Sequence, residues 1–321
     1  MDESTSTCNR RFARLGIPQT EETRRAYRQL LVTTPGLGDG IGGAILVDET
    51  LRQSTDEGVP FVSVLEAAGI IPGIKVDEGA KDLAGHPGEL ITEGLDGLRE
   101  RFLEYAGLGA RFAKWRAVIN LGEGLPSPGC ILANAHALAR YAALAQEAGL
   151  VPIVEPEVIM AGDQTLEAGK AATQAVLHTV FNELYHQGVL LEGVILKPNM
   201  VTSGLACPVQ ADVNAVAAAT LACLRRAVPA AVPAIAFLSG GQSDVLASER
   251  LNAMAVMGRA TDAPLPWALS FSYGRALQRQ ALDLWRGDPA RAAEAQTALH
   301  HRAACNRAAR RGEYAEDMDS A

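Results

Sequence analysis

The stretch ILANAHALARYAALAQEAGLVPIVEPE, residues 131–157, decides the fold. In its first part Ile131, Leu138, Tyr141, Ala142 and Ala145 fall on one helical face, and Gly149 suits the left-handed position just past a helix C-terminus. Residues 151–154 then form an uninterrupted apolar run, as expected of a strand buried on both faces. Two acidic residues, Glu155 and Glu157, close the unit around Pro156.

The same unit recurs along the chain: a helical run, a glycine, a short apolar run, then polar residues that open a loop. Its apolar runs are 42–47, 70–76, 112–117, 151–157, 193–197, 235–239 and 267–272. Continuously apolar strands alternating with helices predict parallel strands covered on their outer face, hence α/β architecture. The pattern alone leaves a closed barrel and an open sheet both standing. Charge favours the barrel, because nearly every run ends in a reactive or ionic group: Lys75, Lys114 with Arg116, Glu155 with Glu157, Lys197, Ser239, and Ser272 with Arg275. A parallel barrel gathers such ends on one face, where its active site lies. Seven runs leave an eighth strand unaccounted for. Residues 1–312 are expected to form one barrel domain, with 313–321 a flexible, solvated acidic tail lacking an apolar period.

With 321 residues and 48% hydrophobic content, the chain can bury a large core. Its formal charge of −8 argues against nucleic acid and anionic membrane as partners. Five scattered cysteines with no C-x-x-C pair read as reduced thiols. No apolar window is long enough to span a bilayer, and the first residues lack the pattern of a signal peptide, so the expected location is cytoplasmic. The six histidines show neither HxH nor HExxH spacing, so no metal is expected.

The chemistry rests on three constellations. Lys197 ends a strand run and precedes Pro198, which carries its amine on a rigid element. Burial and nearby cations lower a lysine pKa and leave a neutral amine able to attack a carbonyl. Taken alone, this residue reads more readily as a lysine snorkelling at a barrel mouth or paired with a carboxylate, and its context must decide. In FAKWR, residues 112–116, strand alternation puts Lys114 and Arg116 on one face opposite Trp115, and Glu155 and Glu157 share a face by the same spacing. Inward charges of both signs suit proton shuttling, or a structural layer of ion pairs. Finally, FLSGGQS, residues 237–243, runs from a strand through a Gly-Gly turn, leaving Ser239, Gly240 and Gly241 to hold a phosphate. Ser272, Gly274 and Arg275 repeat the arrangement on the next strand and add a guanidinium.

Taken together, DEST (2–5), GIGGAIL (40–46), GIKVDEG (73–79), LAG (83–85) with EGLDGL (93–98), FAKWR, PIVEPE (152–157), LKPNMV (196–201), FLSGGQS and SFSYGRALQ (270–278) resemble class I fructose-bisphosphate aldolase over almost the whole chain. The resemblance implies a (β/α)8 TIM barrel, here lacking the N-terminal helix and first strand that the family carries before DEST. It implies reversible, metal-independent and cofactor-free cleavage of fructose 1,6-bisphosphate to dihydroxyacetone phosphate and glyceraldehyde 3-phosphate, in glycolysis and gluconeogenesis, by a homotetramer. Lys197 matches the Schiff-base lysine, Glu155 the acid and base at the carbinolamine, and Glu157 its ionised companion. Lys114 matches a lysine supporting charge there, and Asp2 the aspartate at the hydroxyl that loses its proton on cleavage. Ser239, Gly240, Gly274 and Arg275 match ligands of one phosphate; Lys75, Ser4 and Arg116 match groups near the other. The resemblance also implies slower enamine proton exchange, because the chain ends in Asp319-Ser320-Ala321 and not in tyrosine. Two other readings stand beside this one: another Schiff-base sugar-phosphate lyase, and a catalytically weak aldolase-like binding or scaffold protein.

Overall fold

The computed structural model describes residues 4–260 and 264–320. Its strands are β1 (Gly43–Leu46), β2 (Ile71–Lys75), β3 (Gly79–Asp82), β4 (Leu90–Glu93), β5 (Phe112–Ile119), β6 (Val151–Val158), β7 (Ile195–Leu196), β8 (Ala234–Phe237) and β9 (Ala268–Phe271). Seven of them form one parallel sheet in the order β1-β2-β5-β6-β7-β8-β9, one for each of the seven apolar runs in the sequence. The register sets Gly43 beside Ile71, Lys114 beside Ile153, Ile153 beside Ile195, and Ile235 beside Leu269. The edge strands β1 and β9 do not pair with each other among the described residues. The short antiparallel pair β3–β4 stands apart, and its polar, glycine-flanked sequence carried no strand signal.

The helices are α1 (Thr5–Leu15), α2 (Glu21–Val32), α3 (Asp48–Leu51), α4 (Phe61–Ala67), α5 (Leu98–Gly107), α6 (Pro128–Glu147), α7 (Leu166–His186), α8 (Val213–Ala227), α9 (Asp244–Arg259), α10 (Arg275–Trp285) and α11 (Ala292–Arg310). In α6, Leu138, Tyr141, Ala142 and Ala145 are fully buried as the spacing predicts. Gly149 follows at φ 73°, which only glycine adopts without cost. Tyr141 packs its ring 5.6 Å from that of Trp115 and donates its Oη to the Ile153 carbonyl at 3.2 Å, joining helix to sheet. Fully burying such an aromatic side chain is worth roughly 1.5–3 kcal/mol.

Strand alternation divides the sheet. Ala44, Leu46, Ala113, Trp115, Val154 and Leu196 face the helices and belong to the main core. Ile45, Phe112 and Ile153, with Ile195 against them, form a separate apolar plug on the other face. Gly73 is required there, since a Cβ would come within 2.3 Å of the Phe112 ring. Two and four residues further along this same face, β5 carries Lys114 and Arg116, and β6 carries Glu155 and Glu157. The inner face is therefore apolar near the strand starts and charged near their C-terminal ends.

One expectation is corrected. Residues 313–320, read as a flexible, solvated tail, fold onto the body: Tyr314 is buried, Met318 packs on the core, and Glu316–Ser320 form a 3-10 turn. The cause is Arg302 of α11, which is 1% exposed and pairs with Asp319, whose carboxylate also accepts from the Tyr314 hydroxyl. A buried guanidinium needs a carboxylate, and this acidic segment supplies one.

Candidate active site at the C-terminal ends of the strands

Lys197 follows β7 directly, and its backbone N–H still donates to the Val154 carbonyl at 2.8 Å, so the strand geometry fixes it. Its Nζ lies 3.0 Å from Glu155 Oε1, and Lys114 Nζ lies 3.0 Å from Glu155 Oε2. All three side chains are buried. The carboxylate thus sits between two ammonium groups delivered by two neighbouring strands. Arg116 Nε donates to Glu157 Oε2 at 2.5 Å one layer nearer the mouth.

Asp77, which the sequence reading passed over, ties this array together. Its Oδ1 accepts from Lys75 Nζ at 2.7 Å, and its Oδ2 accepts the Arg116 backbone N–H at 3.2 Å and lies 3.8 Å from Lys114 Nζ. The signal for it was present in GIKVDEG, where a carboxylate two residues beyond an inward lysine can fold back onto it.

The environment pushes these groups apart electrostatically. Burial raises a carboxyl pKa, but Lys114, Lys197 and Arg116 outweigh it at Glu155 and hold it at about 2. Lys197 is pulled below the ordinary lysine value by burial and by Lys114, with Glu155 opposing. At Lys114 the balance reverses: burial is overcome by Glu155 and Asp77, and its ammonium form is favoured. Two lysines on one carboxylate therefore differ, and Lys197 is the one shifted toward its neutral amine.

The array opens into a cavity of about 410 Å³. Glu155, Glu157, Lys197 and Arg116 line it, together with Ser239, Gly240, Gly241, Ser272, Gly274 and Arg275. Gly240 and Gly241 adopt φ 54° and 83°, and the Gln242 N–H closes the turn onto the Ser239 carbonyl at 2.9 Å. Arg275 opens α10, and its Nη2 would lie 3.7 Å from a Cβ at Gly241. Backbone amides, hydroxyls and a guanidinium on adjacent strand ends are groups able to hold an anion.

Lys75 and Lys114 are not among the residues that line this cavity, and Ser4 is engaged in capping α1 by accepting from the Thr7 N–H. Asp2 lies outside the described residues. Unforeseen in the wall are Thr7, Arg10, Arg11 and Arg14 of α1, whose spacing of three, four and seven residues marks one helical stripe. Away from this cavity, His301, Cys305 and Asp319 bring one potential metal ligand each to within 4.8 Å of one another, but Asp319 there is the partner of Arg302 and Tyr314.

The family model for fructose-bisphosphate aldolase class-I matches residues 1–321. The chain is 58% identical over 315 residues to the probable fructose-bisphosphate aldolase class 1 of Xanthomonas campestris pv. campestris, across 98% of this chain and 93% of that one. It is 48% identical over 314 residues to fructose-bisphosphate aldolase C of Homo sapiens, across 98% and 85%. A solved structure of Plasmodium falciparum fructose-bisphosphate aldolase, in complex with TRAP and a small molecule inhibitor, is similar with a TM-score of 0.95 and 47% identity, covering 98% of this chain and 90% of that one.

Proposed function

This chain belongs to the class I fructose-bisphosphate aldolase family, aldehyde-lyases that cleave fructose 1,6-bisphosphate reversibly to dihydroxyacetone phosphate and glyceraldehyde 3-phosphate, and we propose that it does so through a Schiff base on Lys197. The observation that carries this is the carboxylate of Glu155 held 3.0 Å from both Lys197 and Lys114 at the head of the cavity. Lys197, the buried lysine shifted toward its neutral form, attacks the ketose carbonyl and gives a carbinolamine. Before the attack the Lys197 ammonium passes a proton to Glu155, 3.0 Å away, which frees the amine, removes one of the cations that hold the carboxylate ionised and leaves Glu155 carrying the proton it will deliver. Glu155 then protonates the departing hydroxyl, water leaves, and a protonated imine remains. Lys114, anchored by Asp77, keeps the developing charge compensated, and Glu157 pairs with Arg116.

The imine accepts the electron pair of the breaking carbon–carbon bond, while the sugar hydroxyl loses its proton to Asp2. Glyceraldehyde 3-phosphate leaves; the enamine takes up a proton, and hydrolysis frees dihydroxyacetone phosphate and the Lys197 amine. Ser239, Gly240, Gly241, Ser272, Gly274 and Arg275 hold one phosphate. Arg116 serves the other, the α1 arginines extend that wall, and Lys75 and Ser4 are assigned near that end by the family resemblance alone. Gripping both ends aligns the bond between them over Lys197. We place the enzyme in glycolysis and gluconeogenesis, in the cytoplasm, as a homotetramer; no helix among the described residues is long and apolar enough to cross a membrane.

The test is borohydride trapping with dihydroxyacetone phosphate in EDTA, followed by peptide mass mapping. A reduced adduct on Lys197 is expected; a folded sample with no adduct, or with the adduct on Lys114, would overturn the assignment.

A further inference from the structure

Four arginines are buried among the described residues: Arg24, Arg28, Arg250 and Arg302. Arg24 and Arg28 pair with Glu49, and Arg302 pairs with Asp319. Arg250, on α9 and 6% exposed, has no carboxylate within ion-pairing distance among the described residues. Its Nε has no partner, and its Nη1 donates to a neutral acceptor, Gln242 Oε1, at 2.8 Å. Holding a buried guanidinium without a counter-ion is costly, so a fold that retains one gains by placing it where an anion arrives.

Gln242 shows where that is. Its amide nitrogen Nε2 donates to the Ser239 carbonyl at 3.0 Å, the same oxygen that accepts the Gln242 backbone N–H at 2.9 Å. The turn through Ser239, Gly240 and Gly241 is therefore clamped twice from one residue, and the clamp is gripped from behind by Arg250. Both turn glycines hold positive φ, a conformation with little local preference for one exact shape, so the clamp sets how their amides are aimed. Burial also lowers the Arg250 pKa, with Glu249 opposing, as expected of a cation short of negative charge.

We propose that Arg250 is a positioning residue for the substrate phosphate: acting through Gln242, it fixes the Ser239–Gly241 turn, and the bound phosphate dianion supplies the counter-charge that the protein withholds. This rests on the phosphate role given above to that turn. Arg250 does not line the cavity, so its effect reaches the ligand through the turn and through the field of its charge. Binding energy at the phosphate end should change while the chemistry at Lys197 does not.

The experiment compares wild type with Arg250→Met, which keeps the length and removes the charge, and with Arg250→Lys, which keeps the charge and loses the planar fork. Inorganic phosphate is the probe, followed by 31P NMR line broadening, which needs no turnover, beside steady-state cleavage and borohydride trapping of unphosphorylated dihydroxyacetone. In Arg250→Met the Kd for phosphate and the KM for the bisphosphate are expected to rise about tenfold, the scale of one charge-assisted interaction, with trapping of dihydroxyacetone at the wild-type rate. Arg250→Lys should recover most of the phosphate affinity. Unchanged phosphate affinity in Arg250→Met overturns the proposal, as does a fall in dihydroxyacetone trapping in step with the loss of affinity, which would mark a merely structural role. Should wild type trap nothing while phosphate binding still depends on Arg250, the Lys197 assignment falls and this one stands.

Discussion

Replacing Glu155 with glutamine preserves side-chain shape and removes one negative charge from between two ammonium groups 3.0 Å away on either side. A carboxyl whose ordinary value is 4.5, held here at about 2, favours its ionised form in the fold by about 3 kcal/mol. Because the folded value is depressed, that stabilisation is complete above the unfolded value and is lost as pH falls from about 4.5 through about 2. Glu155→Gln is therefore expected to unfold in urea with about 3 kcal/mol less stability than wild type at pH 7, and the gap should narrow below pH 4.5. Its catalytic deficit is separable. A neutral amide cannot deliver the proton that expels water from the carbinolamine, and loss of general acid–base help costs ~10²–10⁴ in rate, or roughly 3–5 kcal/mol of barrier. Rapid-quench borohydride trapping with dihydroxyacetone phosphate should show adduct forming more slowly by the same factor as kcat. A variant with kcat within about threefold of wild type and an unchanged trapping rate would refute the reasoning.

The rate of adduct formation on Lys197 should rise with pH along a limb centred below the ordinary lysine value of 10.5, since burial and Lys114 disfavour its ammonium form; a midpoint at 10.5 or above contradicts this. Asp77→Asn frees Lys75 and Lys114 from their shared carboxylate and should lower kcat/KM by about ten- to a hundredfold, a loss of one buried charged contact, whereas a change under twofold in steady-state assays would make Asp77 incidental. Gly241→Ala forces a side chain onto φ 83° at a cost of about 1–2 kcal/mol and should weaken competitive inhibition by inorganic phosphate several-fold. Asp319→Asn leaves Arg302 buried without its charge partner, so urea denaturation should report a loss of about 3 kcal/mol, and amide hydrogen exchange at 314–318 should quicken; unaltered exchange would show that the segment is held by something else.

What was legible in the sequence followed strict periods. Alternation along a strand put Lys114 with Arg116 and Glu155 with Glu157 on one face, because side chains on a pleated strand have no other choice. Apolar runs marked most of the strands, with β5 marked by alternation in FAKWR, although the observed ladder at β7 is only Ile195–Leu196, with Gly193 already in a turn. What escaped has no period. Asp77 lies past the end of β2 and reaches Lys75 only because the chain turns back, and the fold of residues 313–320 depends on a guanidinium on α11 that no local pattern announces. The α1 arginines did carry a helical spacing, but nothing local to that stripe says which side of the helix meets the cavity. Long-range pairing decides such cases.

The charged layer of the inner face has a consequence of its own. Lys75, Lys114, Lys197 and Arg116 meet Asp77, Glu155 and Glu157, so four cations face three carboxylates. Arg116 is fixed as a cation, Lys75 has Asp77 as its near neighbour, and Lys114 has both Asp77 and Glu155. The surplus falls on Lys197, which shares its single carboxylate with another lysine. Releasing one proton from that residue brings the layer to neutrality, so the amine proposed to attack is one whose charge its surroundings do not require. The strands were dealt one more base than acid, and burial beside a carboxylate shared with Lys114 lets Lys197 give up the surplus proton.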